Sequence, residues 1–60
     1  MNHSFLKGFA REAGLKEEEA AKQWEGYSRQ LTTAERRKIE ALGELAGENE
    51  GRRFRKDFPN

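Results

Sequence analysis

The 60-residue sequence contains no cysteine, one proline and one histidine. The lack of cysteine excludes disulfide bonds, thiolate metal sites and cysteine nucleophiles, and it fits a reducing compartment. Because His3 is the only histidine, one chain cannot build a histidine cluster or a Ser-His-Asp triad. No apolar run approaches the roughly 20 residues of a membrane span, and the amino terminus lacks a signal-peptide core. The sequence therefore predicts a protein that is not an enzyme, binds no cofactor or metal, and does not enter a membrane.

Large apolar residues are scarce. Hydrophobic residues make up 33% of the chain and charged residues 38%, and only thirteen hydrophobic residues are larger than alanine. Burying one large side chain gains roughly 1.5 to 3 kcal/mol, whereas ordering each residue costs roughly 1.5 kcal/mol, so the balance lies near zero. We therefore expect one small domain of marginal stability that completes its burial on a larger assembly or on copies of itself.

The first helix is predicted over residues 4–13. Phe5 and Phe9 fall on one stripe at helical spacing, together with smaller apolar residues. Ser4 suits the amino-terminal cap, and Gly14 suits the left-handed position just beyond the end.

The second helix is predicted over residues 17–30. Its apolar residues recur at spacings of four, three and four, which places them on a narrow seam that faces a neighbour. Three carboxylates in the first turn interact favourably with the helix dipole, and we interpret them as a solvated helix start rather than as catalytic acids. The seam consists of Ala20, Trp24, Tyr27 and Leu31, and the carboxylates belong to Glu17, Glu18 and Glu19.

The third helix is predicted over residues 33–46. Thr32 and Glu35 have the spacing of a capping box, and Gly47 is the expected end of the helix. A wide apolar stripe is expected to face the core, and it consists of Ala34, Ile39, Ala41, Leu42, Leu45 and Ala46.

Three glycines fall inside these predicted helices, at Gly8, Gly26 and Gly43. Relative to alanine they weaken the helices by roughly 3 kcal/mol together, which is a large share of the stability of so small a domain. Either they permit close contacts between helices, or the module relies on support from outside itself.

The carboxyl-terminal segment is predicted to be irregular and basic. Residues 51–60 carry four basic groups and one acidic group, and residues 48–60 contain Gly51 and Pro59 without helical periodicity. The sequence thus predicts an all-α fold of three short helices in a module of residues 1–47, followed by an extended tail of residues 48–60.

The aromatic residues of the first two helices have two interpretations. At helical spacing they form the core, because no other residues of the chain are large enough. Alternatively, part of the stripe stays exposed and docks on another protein as a helix in a groove. These residues are Phe5, Phe9, Trp24 and Tyr27.

The tail has three interpretations. It is a flexible solubilising segment, an arm whose aromatic residues insert into a partner while its arginines pair with carboxylates, or a nucleic-acid contact. In the last case four cations, including Lys56, contact phosphates and Phe54 stacks on a base. The candidate partner-binding residues are therefore Phe5, Phe9, Trp24, Tyr27, Arg52, Arg53, Phe54, Arg55 and Phe58.

Residues 31–42, which read Leu-Thr-Thr-Ala-Glu-Arg-Arg-Lys-Ile-Glu-Ala-Leu, look like the start of the helix-turn-helix of LuxR-type regulators. In that family a Leu-Thr cap precedes a Glu-Arg helix. The motif also requires a second, recognition helix that enters the major groove. The irregular segment expected after Gly47 lacks such a helix.

Residues 5–15, Phe-Leu-Lys-Gly-Phe-Ala-Arg-Glu-Ala-Gly-Leu, followed by Glu18-Glu19-Ala20-Ala21, resemble short proteins encoded by tailed bacteriophages. The common pattern is a Phe-x-x-Gly-Phe helix, a Gly-Leu break and an acidic, alanine-rich second helix. Some proteins of this kind are virion accessory components. The resemblance implies a noncatalytic role in a phage particle or in control of the host, in the virion or the bacterial host cytoplasm, and it transfers no site residue.

Overall fold

The computed structural model of the chain describes residues 3–58, which form four α-helices joined by short connections. The predicted all-α class is confirmed, and no strand occurs in the described part of the chain. The predicted number of three helices is wrong, because the segment expected to be an irregular tail is helical. The helices are α1 (His3–Ala13), α2 (Glu17–Tyr27), α3 (Thr33–Ala41) and α4 (Glu44–Asp57).

The first two helices follow the sequence signals closely. Helix α1 ends at Ala13, and Gly14 adopts the left-handed conformation with φ of 73°. The helix begins at His3, so Ser4 lies in the first turn and is not the cap. A single 3₁₀ turn, Ser28–Gln30, follows α2 and brings the second helical segment to its predicted end.

The capping box at the start of α3 is present as predicted. The Thr32 amide donates to Glu35 Oε1 over 2.9 Å, and the Glu35 amide donates to Thr32 Oγ1 over 3.1 Å. The hydrogen bond from the Thr32 backbone stabilises the charged carboxylate and so lowers the pKa of Glu35.

The predicted third helix, residues 33–46, is wrong at its end because the chain turns at Gly43. With φ of 93°, Gly43 occupies a backbone region that other residues avoid, and it starts α4 at Glu44. The predicted apolar stripe is therefore divided between two helices. Ile39 and Ala46 pack partly buried against the core, whereas Ala34, Ala41, Leu42 and Leu45 are exposed.

The predicted irregular tail, residues 48–60, is wrong as far as Asp57. Gly47 does not end a helix. It lies inside α4, and both it and Gly51 are buried. The predicted module boundary after residue 47 accordingly falls within α4. This helix is not basic as a whole, because four cations (Arg52, Arg53, Arg55 and Lys56) are matched by four carboxylates (Glu44, Glu48, Glu50 and Asp57).

The α1–α4 contact explains why these glycines are tolerated. A Cβ added at Gly47 would lie 2.9 Å from the carbonyl carbon of Phe5, and one added at Gly51 would lie 2.6 Å from the carbonyl oxygen of Phe9. The two backbones are therefore in direct contact, and because Phe5 meets Gly47 and Phe9 meets Gly51, the helices run in the same direction. Gly8 lies on the α1 side of this contact, which agrees with the interpretation that a glycine inside a helix permits close contact with another helix.

The core is a small cluster where α2 packs against α1. Its buried members are Phe5, Phe9, Ala10, Ala20 and Trp24. Leu6, Leu15, Ile39, Phe54 and other partly buried residues surround them. Helix α3 contributes no buried residue, so it is the helix most weakly held by apolar packing.

Candidate interaction surface

Phe5, Phe9 and Trp24 occupy the centre of the core. Their exposed fractions are 1%, 0% and 3%. The Trp24 ring centroid lies 4.7 Å from that of Phe5 and 5.5 Å from that of Phe9, distances at which tilted aromatic pairs attract. The burial of these three residues agrees with the interpretation that the aromatic residues of the first two helices form the core. In this fold their side chains are buried and hold the helices together.

The indole of Trp24 also attaches α3 to the core. Its Nε1 donates to Glu40 Oε2 over 2.7 Å, and Arg36 Nε donates to the same oxygen over 3.0 Å. A buried indole N–H requires an acceptor, and a carboxylate shared with an arginine is a strong one. Sequence reasoning missed this link, although Arg36 and Glu40 have the i, i+4 spacing of a helical ion pair.

Tyr27, Phe54 and Phe58 form a second aromatic group beside the core. The ring centroids of Tyr27 and Phe54 are 5.4 Å apart, and those of Phe54 and Phe58 are 5.0 Å apart. Phe54 also contacts Phe9 at 5.5 Å, so its ring is packed on several sides and is not free to stack on a base. Phe58 is 56% exposed and is the member of the group most accessible to a partner.

Tyr27 donates its hydroxyl proton to Asp57 Oδ2 over 2.8 Å. Two causes raise the pKa of Tyr27 from 10.0 to about 12. The larger is burial of the ring, and the second is this hydrogen bond. The folded state therefore favours the neutral phenol more strongly than the unfolded state does.

We expect the Tyr27 contribution to stability to be complete below pH 10 and to be lost between about pH 10 and 12. Within that window the free energy of unfolding should fall by up to about 1.4 kcal/mol per pH unit. Urea denaturation of the wild type and of Tyr27→Phe at several pH values measures the effect. The variant should show a flatter dependence, and equal slopes for the two proteins would contradict the assignment.

The four predicted cations of the tail do not act alike. Arg52 donates to Asn49 over 2.6 Å and lies 3.6 Å from Glu12, and Arg53 lies 3.9 Å from Glu50. In the described chain, Arg55 and Lys56 make no ion pair and are exposed. The basic footprint expected from the sequence is therefore partly neutralised.

Helix α4 also bears on the helix-turn-helix resemblance. A second helix does follow α3, contrary to the expectation from sequence, but its first two turns carry Glu44 and Glu48. Both carboxylates bind Arg11, with a distance of 2.7 Å to Glu44. The amino-terminal residues of a recognition helix contact base edges, and carboxylates there are repelled by the phosphates. The arrangement does not favour insertion of α4 into a major groove.

Leu42 and Leu45 are the large apolar residues that the fold leaves most exposed among those described. Their exposed fractions are 70% and 74%. They lie three residues apart around the turn at Gly43, and we call this pair the leucine corner. Sequence reasoning detected the apolar stripe to which they belong but assigned it to the core, whereas α3 packs on the core through the side that carries Ile39 and Glu40.

A groove of about 310 Å³ opens between α1, α2 and α3. Phe5, Leu6 and Trp24 form its apolar part, whereas Arg36 and Glu40 at its edge bind each other. Nowhere in residues 3–58 do three metal-ligating side chains converge on one point. Ala21 and Glu25 complete its lining. The groove therefore offers apolar contact.

Comparison of the chain with protein-family models, curated proteins and solved structures found no match. None of the helices at residues 3–58 has the length and hydrophobicity needed to cross a membrane.

Proposed function

We propose that this protein is a noncatalytic protein-interaction module that docks through its leucine corner, either on a larger assembly or on another copy of itself. The observation that carries the proposal is the exposure of Leu42 and Leu45, at 70% and 74%. A chain with so few large apolar residues leaves two of them outside a core that contains three large side chains.

The energetics support this role. Covering one exposed leucine gains roughly 1.5 to 3 kcal/mol, which is comparable to the whole stability of a domain of this size. Isolated exposed leucines are common on protein surfaces, but Leu42 and Leu45 lie only three residues apart, on the two sides of one turn. Phe58 is a further exposed anchor at the end of α4.

Site-specific photo-crosslinking in the native cells tests the proposal. A photoreactive residue at position 45 should yield one discrete crosslinked product, either a partner or a dimer, whereas the same residue at exposed position 22 on α2 should not. The double variant Leu42→Ser and Leu45→Ser, with the photoreactive residue moved to Ala41, should lose the product. Equal crosslinking from positions 45 and 22 would refute the leucine corner as the docking site.

The resemblance to short phage proteins adds a biological setting to the proposal. We infer a small accessory or structural protein of a virion, or a phage protein that acts in the bacterial host cytoplasm. The support is the Phe-x-x-Gly-Phe pattern of α1 and the acidic start of α2. In the virion setting, the crosslinked product from position 45 should be a particle protein and should be recovered with purified particles.

A second candidate function is nucleic-acid binding by the carboxyl-terminal half of α4. The observation that favours it is the exposure of Arg55 and Lys56, which have no ion-pair partner among the described residues. Two free cations are a smaller footprint than the four expected from sequence, and the packed ring of Phe54 removes the expected stacking platform.

A further inference from the structure

Helix α3 has two faces of different chemistry. Arg36, Ile39 and Glu40 point toward the rest of the molecule and are partly buried. The opposite side, which we call the outer face, is fully exposed and continues into the leucine corner. Helical spacing places Ala34, Arg37, Lys38 and Ala41 on this outer face.

The four residues of the outer face include two cations, Arg37 and Lys38, and no carboxylate. Glu40 binds Trp24 and Arg36 on the inner side of α3, and Glu44 and Glu48 bind Arg11 of α1. Glu35 caps the start of α3. Arg37 and Lys38, by contrast, make no ion pair among residues 3–58.

We propose that the outer face of α3 and the leucine corner together bind an acidic amphipathic helix of a partner protein. Apolar residues of that helix cover Leu42 and Leu45, and its flanking carboxylates pair with Arg37 and Lys38. This inference rests on the proposed function and names the chemistry of the partner. At about 1.5 Å per residue, the α3 part of this surface, from Ala34 to Ala41, matches about two turns of a docked helix, and the leucine corner lies at its end.

Other occupants fit the surface less well. Two cations are few for a phosphate backbone, and leucines gain nothing from phosphates. A second copy offers exposed carboxylates at Glu17–Glu19, but the exposed apolar residue beside them on α2 is the small Ala21, so no large apolar stripe accompanies them. An acidic partner helix supplies both the carboxylates and the apolar stripe.

A selection experiment on the immobilised full chain tests the inference. The probe is a displayed library of 14-residue amphipathic helices with a constant leucine stripe, whose flanking positions are randomised among Glu, Lys and Gln. Selection on the wild type should enrich Glu over Lys. The selected peptides should bind the double variant Arg37→Glu and Lys38→Glu about tenfold more weakly, and selection on that variant should enrich Lys.

Two further variants make the result interpretable. Lys16→Glu with Lys22→Glu makes the same change of net charge on exposed positions around α2, and it should leave binding within about twofold of the wild type. Leu42→Ser with Leu45→Ser should abolish the enrichment. Circular dichroism of each variant establishes that it is folded.

Failure of the inference can be separated from failure of the proposed function. If the wild type enriches peptides that the Leu42→Ser and Leu45→Ser variant does not bind, but without preference for Glu, the inference is overturned and the docking function stands. If the wild type enriches no more than that leucine variant does, the inference is overturned, and crosslinking from position 45 decides whether the docking function stands.

A fluorescent 20-base-pair duplex provides the competing outcome. We expect reversal of Arg37 and Lys38 to change duplex affinity by less than about twofold. Tight duplex binding that is lost in this variant and kept in the leucine variant would assign the outer face to nucleic acid instead. In that case the log-log salt dependence would have a slope near −1.8, as two phosphate contacts require.

Discussion

Gly47→Ala is expected to destabilise the protein by about 3 kcal/mol or more, enough to leave most of a 60-residue domain unfolded. The added methyl group would lie 2.9 Å from the carbonyl carbon of Phe5 and 3.0 Å from the amide nitrogen of Phe9, and closer still to the Phe5 oxygen. All three atoms belong to the backbone of α1, so no side chain can move aside. The helices would have to separate.

Gly26→Ala is the matched control for this substitution. Gly26 also lies inside a helix, but a Cβ added there meets nothing within 4 Å. Alanine should therefore stabilise α2 by up to about 1 kcal/mol through its higher helix propensity. The two variants make the same chemical change with opposite expected signs.

Thermal denaturation followed by circular dichroism at 222 nm measures both variants. For a domain of this size, 1 kcal/mol corresponds to about 4 to 8 °C in the midpoint. Gly26→Ala should raise the midpoint, whereas Gly47→Ala should lower it by more than about 12 °C or abolish the transition. A midpoint for Gly47→Ala within a few degrees of the wild type would mean that α4 does not pack on α1 in this register.

Phe9→Ala is expected to cost about 3 to 5 kcal/mol, because Phe9 is fully buried and its ring contacts both Trp24 and Phe54. Its removal leaves a cavity at the point where α1, α2 and α4 meet. Since small domains seldom exceed 3 to 5 kcal/mol of total stability, we expect the variant to be largely unfolded at 25 °C.

Phe58→Ala is the comparison that separates core from surface. Phe58 is 56% exposed, so its truncation should cost less than about 1.5 kcal/mol. Urea denaturation of the two variants, with Trp24 fluorescence as the probe, measures the difference. If the two substitutions were equally mild, the aromatic residues of α1 would be surface anchors, as the alternative interpretation of the sequence proposed.

The start of α3 and the end of α1 were predictable because their signals are local. Gly14 ends α1 through its own backbone conformation, and Thr32 and Glu35 satisfy each other's amides across one turn. Phe9 and Trp24 could be assigned to the core because few other residues are large enough. Each of these inferences needs only neighbouring residues or a count of side chains.

The candidate surface was less predictable than the core. The apolar stripe of the third helix was visible, but its exposure was not, because it depends on which face of α3 packs on the core, and that face is the one with Arg36, Ile39 and Glu40. Leu42 ends the exposed side of α3, and Leu45 is exposed on α4 after the turn at Gly43. The pairing of Arg52 with Glu12, which reduces the basic footprint, joins residues far apart in the sequence.

The all-α class, the first two helices and the aromatic content of the core were therefore predictable from the order of the residues. The helical conformation at Gly47 and Gly51 follows only from the packing of α4 on α1. Glycine is a poor helix former in isolation, but the missing Cβ allows α4 to approach the backbone of α1 directly. This stabilisation depends on a helix some forty residues away in the chain, so no pattern of neighbouring residues could predict it.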